Sequence, residues 1–247
     1  MANSLFLKRI VSNKIYWLSV LAALVILFCS IVHWDTTTGQ EYIFLSLLYN
    51  EEIRMSVSAG QLLYGYDSSY LWMFAPIIVG VPCILAGKTE RFVLFRTSKN
   101  KYIFSKYVAN LVASGMLLVM AYFVYMLSVM AVFGECAWNE LLTKKLLSIF
   151  CWGILCALPS MLLSELVHNK YLILCVPFVL NYFVIMFVGR ILPYEIYRYI
   201  SPTSYQTLFL DEPYWVKARL SILLVCIVGC GAVKKLLMEG RCDCGQR

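Results

Sequence analysis

Six stretches of this sequence are apolar for about the length of one bilayer crossing, and nothing else in the chain limits its fold so strongly. They are residues 15–33, 70–86, 107–132, 146–163, 171–188 and 218–233. An α-helix rises about 1.5 Å per residue, so roughly 20 residues cross a hydrocarbon core of about 30 Å. Lipid offers no water to backbone N–H and C=O groups, so each run must satisfy them internally, as a helix. The runs are too long and too uniform for the alternating strands of an outer-membrane barrel. The expected fold is all-α and integral to the membrane: one membrane domain over residues 1–247 with six transmembrane helices. Composition agrees, with 61% of the 247 residues hydrophobic and 14% charged, against about 45–50% and about 25% in soluble domains. Little polar chain remains for a separate soluble domain.

Orientation follows from the basic residues. With the N-terminus inside, the inner segments hold 14 Lys and Arg and the outer segments 7. Cytoplasmic loops retain Lys and Arg, so both termini are expected on the cytoplasmic side. The formal charge of +7 is then a property of those loops rather than of a nucleic-acid surface, and no nucleic-acid partner is expected. Lys8, Arg9 and Lys14 ahead of residues 15–33 imitate a signal peptide. That apolar run has 19 residues, however, against about 7–15 for a signal core, and no small-residue cleavage pattern follows, so it reads as an uncleaved span. Within the first 14 residues, Leu5, Phe6, Ile10 and Val11 recur near helical spacing. Two readings stay open: a short amphipathic helix in the headgroup layer, or a plain juxtamembrane tail. Most of the ten Cys lie in apolar runs, where Cys is a small hydrophobe rather than part of a disulfide framework.

Two outer segments are long. Residues 34–69 contain EYIFLSLLYNEEI, which reads as an amphipathic surface helix. Residues 189–217 are rich in Tyr, Pro and apolar residues, which suits short broken helices on, or dipping into, the outer leaflet.

No catalytic centre is legible, so no enzyme activity is expected of this chain. Gly87-Lys88-Thr89 imitates the end of a phosphate-binding loop, but that motif needs a Gly where Pro82 stands, and a strand before it. His33 and His168 are the only histidines, too few for a HExxH zinc motif. Glu51-Glu52 has no accompanying His cluster. Cys242-Asp243-Cys244 is either a soft-metal pair or an ordinary reduced tail, and no metal site is assigned. The apolar segments are poor in charge, whereas coupled transporters and charge-ringed channels need ionisable groups there. If the chain moves a substrate, energy must enter from a partner.

Residues 87–106, GKTERFVLFRTSKNKYIFSK, suggest where. Six basic residues surround the apolar run Phe92, Val93, Leu94, Phe95. A loop that only retained charge would not need those four. The segment reads as a short helix offered to a cytosolic partner, or as one lying on anionic lipid.

With these features the chain resembles the membrane permease subunit of type-2 ABC transporters, mostly exporters. In that family a short amphipathic helix precedes six spans, and a coupling helix lies between the second and third. Glu90, Arg96-Thr97-Ser98 and Ser105-Lys106 match its coupling region in order. Ile200-Ser201-Pro202-Thr203-Ser204-Tyr205 resembles its broken extracytoplasmic helices before the last span. Segment 34–69 is longer than in many members. The resemblance implies a bacterial inner-membrane protein that pairs with a second permease chain, the same or homologous. It also implies cytosolic ABC ATPase subunits that carry ATP and Mg, with no cofactor on this chain. Coupling contacts are then expected at Glu90, Arg91, Phe92, Leu94, Phe95, Arg96 and Ser98. A pathway is expected along the second and fifth spans at Trp72, Phe74, Asn181, Tyr182 and Met186. Asn181 stands out, because a mid-span amide needs a partner. Pro76, Pro82, Pro159 and Pro177 are expected to kink their helices. The alternative from another class is a non-transporting adaptor or immunity protein that binds a peptide at its outer surface.

Overall fold

The computed structural model describes residues 2–35, 40–65, 71–86, 98–134, 139–167 and 169–244. Its α-helices of four or more residues are α1 (Ala2–Val11), α2 (Lys14–Phe28), α3 (Ser46–Tyr49), α4 (Glu51–Ser56), α5 (Leu71–Leu85), α6 (Lys99–Phe133), α7 (Glu140–Leu166), α8 (Lys170–Phe183), α9 (Tyr194–Ile200) and α10 (Pro213–Cys244). Among the described residues, four helical stretches are long and apolar enough to cross a membrane: Asn100–Phe133, Glu140–Leu166, Lys170–Val188 and Pro213–Leu237. Two apolar helices, α2 and α5, are shorter at 15 residues each, about 22 Å at the usual rise. The chain is thus a helical membrane protein.

Its two ends are marked by contacts. At one, which we call the lysine end, Lys106 of α6 and Lys234 of α10 meet Glu165 of α7. At the other, the hairpin end, Tyr125 of α6 packs on Phe28 of α2 and on Phe44. Lys145 of α7 reaches the Tyr64 carbonyl there.

The first apolar run does not stay helical to its end. α2 stops at Phe28, and Ile31–Asp35 forms strand β1, antiparallel to β2 (Gln40–Ile43). Ile31 and Val32 are β-branched and favour an extended backbone. The surface helix expected over residues 41–53 is also corrected. Its first residues are strand, and the rest splits into α3 and α4. The break is at Asn50, whose backbone is extended and whose side-chain Oδ1 accepts from the Glu52 and Ile53 N–H groups and so begins a new helix. Glu51 and Glu52 then occupy the first turn of α4, where the helix dipole favours acids.

α1 settles the reading of the N-terminus in favour of a helix. Phe6 and Ile10 are buried, and the Phe6 ring meets Tyr102 of α6 edge-on at 5.2 Å. Lys8 and Arg9 stay exposed.

Between lipid tails helices gain little from hydrophobic burial, so close approach and polar ties decide the packing. α6 and α7 cross at Gly115 and Gly153. A Cβ at Gly153 would stand 3.1 Å from the Gly115 Cα and the Ser114 carbonyl oxygen. A Cβ at Gly80 of α5 would stand 2.8 Å from Ser160 Oγ. Ser114 Oγ donates to the Val79 carbonyl at 2.8 Å, and Tyr16 Oη donates to the Ala113 carbonyl at 3.0 Å. These bonds join α6 to α5 and to α2.

After α8 the helix loosens into a π turn (Val184–Val188). α9 and a 3-10 helix (Pro202–Leu210) follow. The 3-10 helix lies along α7, with Tyr205, Gln206 and Leu208 buried and the Phe209 N–H donating to Ser148 Oγ at 2.9 Å. The broken helices expected before the last apolar helix are therefore present. The 3-10 helix is set into the bundle, where irregular backbone is tolerated because protein covers it, whereas α9 is exposed or half-buried.

Candidate functional site

A proline in a helix has no N–H for the carbonyl four residues earlier, so that carbonyl must find another donor. Pro76 frees the carbonyl of Trp72 in this way. The Asn181 amide of α8 fills the gap, with Nδ2 donating to the Trp72 carbonyl at 2.9 Å. The partner that a mid-span amide requires is thus a backbone group orphaned by a proline on the neighbouring helix. One turn along, the rings of Phe74 and Phe178 stack at 5.9 Å, so α5 and α8 are joined by a polar and an aromatic contact. Beside the tie lies a cavity of about 180 Å³ with Pro76, Pro159, Pro177, Pro202, Leu155 and Asn181 in its wall. Four prolines from four elements converge there. Pro159 leaves the Leu155 carbonyl, also at this wall, without its helical donor.

Of the sequence-predicted pathway residues, Trp72, Phe74 and Asn181 are thus brought together. Tyr182 points outward and is 39% exposed, while Met186 is half-buried in the π turn. Of the expected coupling residues, Glu90, Arg91, Phe92, Leu94, Phe95 and Arg96 lie outside the described residues. Ser98 is exposed and occupies the N-cap of α6 without a side-chain cap bond.

At the lysine end, three residues counted in the sequence as loop charges are buried between helices. Glu165 Oε1 lies 3.4 Å from Lys106 Nζ and 3.1 Å from Lys234 Nζ. The Lys234 side chain is fully buried. Two ammonium groups thus share one carboxylate, leaving one positive charge in excess. One turn further along α6, Asn110 is fully buried, and both of its amide atoms lack a hydrogen-bond partner among the described residues.

The hairpin end repeats the pattern with guanidinium groups. Asp211 receives Arg198 at 2.9 Å and Arg219 at 2.6 Å, and Arg219 also donates to the Ser204 carbonyl at 2.8 Å. Arg198 lies over the Trp215 ring at 4.6 Å. Ser204 Oγ donates to the carbonyls of Arg198 and Ser201, so the Ser-Pro-Thr-Ser-Tyr sequence is the turn that organises the cluster. Nearby, a hydrogen bond to Tyr214 holds the Tyr199 phenol above its ordinary range.

Charge-poor apolar segments therefore do not mean a charge-free bundle. Arg219 falls inside the sixth apolar run, and Lys106, Lys145, Glu165 and Lys234 sit within three residues of a run edge. All five are buried. Lys145 is a buried donor, and Lys144 pairs with Glu140 at 2.8 Å, so neither is an unpaired loop charge. The signal that would have found these residues is opposite charge at the edges of different apolar runs. Among the described residues, no group of three or more His, Cys, Asp and Glu gathers as a metal site. The Cys242 and Cys244 side chains lie outside the described set.

No family model, curated protein or solved structure matches this chain.

Proposed function

We propose that this chain is the membrane subunit of an ATP-driven exporter of the type-2 ABC class, set in a bacterial inner membrane with both termini cytoplasmic. Six helices cross the bilayer, and the short α2 and α5 count among them. Two such chains pair around the substrate pathway. Separate cytosolic ATPase subunits, which hold ATP and Mg, dock on residues 87–98. This chain performs no hydrolysis. It converts closure of the ATPases into movement of its helices.

The observation that carries this reading is the setting of the segment just before α6. α1 packs on the first turns of α6, and two turns into α6 Lys106 joins α7 and α10 through Glu165. A push on residues 87–98 would therefore be passed to three long helices through ionic contacts. The proline-walled cavity between α5, α7, α8 and the 3-10 helix suits the pathway, because prolines and a π turn mark helices able to bend. The apolar Phe92, Leu94 and Phe95 fill a groove on the ATPase, while Glu90, Arg91, Arg96 and Ser98 fix its orientation.

The test is affinity capture of the tagged chain from its native membrane, with the bound proteins identified by mass spectrometry. An ATPase with a phosphate-binding loop is expected in about equal amount. A Phe92→Ala, Leu94→Ala, Phe95→Ala variant should lose it while remaining in the membrane. Capture without any ATPase, or an ATPase that stays on the triple variant while export persists, would overturn the proposal.

A further inference from the structure

Between α6 and α10, on the outer surface near the lysine end, runs a cavity of about 300 Å³. Ile103, Phe104 and Tyr107 of α6 and Ile227, Val228 and Gly231 of α10 form its wall. Gly231 lies against Tyr107: a Cβ there would stand in ordinary contact with the ring, at 3.4 Å. Tyr107 is held in place, with Oη donating to the Ile227 carbonyl at 2.6 Å. The groove is therefore a built feature rather than a gap between mobile side chains.

Its polarity changes along its length. The wall is apolar, but at the end nearest the helix termini the lining residues are Asn100 and Lys235. Behind the Tyr107 ring, Lys234 Nζ lies 5.8 Å from the ring centroid. That lysine belongs to the buried cluster of two ammonium groups and one carboxylate, whose net charge is positive. An apolar slot on the face of a membrane helix pair, with a basic end at the depth of the helix termini, matches a molecule with an acyl chain and a negatively charged headgroup.

We infer that this groove binds an anionic phospholipid, with one acyl chain along Ile103–Tyr107 and Ile227–Gly231 and the phosphate beside Lys235. The inference holds for any function of the chain in a membrane and does not depend on the export reading.

The experiment is native mass spectrometry of the full chain in detergent with equal amounts of phosphatidylglycerol and phosphatidylcholine. Phosphatidylglycerol is expected to be retained preferentially, and Lys235→Glu, which reverses a charge, should lower that preference by more than the roughly fivefold effect of losing one lysine near an anionic surface. Val228→Trp fills the groove from an exposed position without disturbing the core, and should abolish the bound lipid. Equal retention of both lipids by the wild type would overturn the inference. So would an unchanged preference in Lys235→Glu, or a lipid-free dimer that Val228→Trp separates, which would assign the groove to a second copy of the chain.

Discussion

Asn181 shows how one side chain answers a fault in another helix. The fault is Pro76, and the answer is an amide delivered to the Trp72 carbonyl from α8. Such interhelical bonds in membranes contribute about 0.6 kcal/mol on average and at most about 1.7. Asn181→Leu should therefore destabilise the protein by roughly that amount in a denaturant titration in detergent. Pro76→Ala restores an N–H at position 76, which lets α5 satisfy the Trp72 carbonyl itself. In that background Asn181→Leu should cost much less. Equal costs in both backgrounds would show that the two residues are not coupled. The residue was legible in the sequence as an amide in search of a partner. Its partner was not, because the vacancy is a backbone property of a proline more than 100 positions away.

At the scale of elements, Glu165 is the joint between α6, α7 and α10. Removing one partner of a buried ion pair leaves an uncompensated charge and costs about 3–5 kcal/mol. Glu165→Leu leaves two buried ammonium groups facing each other and should reach that range. Lys106→Met keeps the length of the side chain and leaves Lys234 and Glu165 as a one-to-one pair. It should cost far less, and a chemical denaturation series separates the two. Most helices were legible because composition and length decide them: a run such as 107–132 has no other stable form in lipid. The joints were less legible. Lys106, Glu165 and Lys234 lie at the edges of their runs, where a charge is ordinarily solvated, and only packing makes them interior. The departures from helix, β1–β2 and the split at Asn50, depend on short-range pairing and capping that apolar runs do not register.

At the scale of the whole molecule, α2 is the feature with the longest reach. It has 15 residues, and Ile15, Trp17, Leu18, Leu21 and Val25 point outward. Beyond Phe28 the chain is a two-stranded hairpin, whose open edges cannot face hydrocarbon. On this flank the protein presents about 22 Å of apolar surface to a core of about 30 Å. α5 is equally short, but most of its residues are buried in the bundle and it does not impose its length on the lipid. If α2 crosses the bilayer as proposed, hydrophobic mismatch at a fraction of a kcal/mol per Å favours thinning of the bilayer on one side of the molecule and not on the other. Stability measured in lipid nanodiscs should rise as acyl chains shorten and fall as they lengthen, and a flat profile would show that α2 is covered by protein. A one-sided collar of compressed lipid makes the surrounding membrane uneven, and proteins that deform the same leaflet are drawn together to share the distortion. With α2 as a span, the length of a single helix would give this chain an address, in the thinner parts of the membrane, and a means of finding company there.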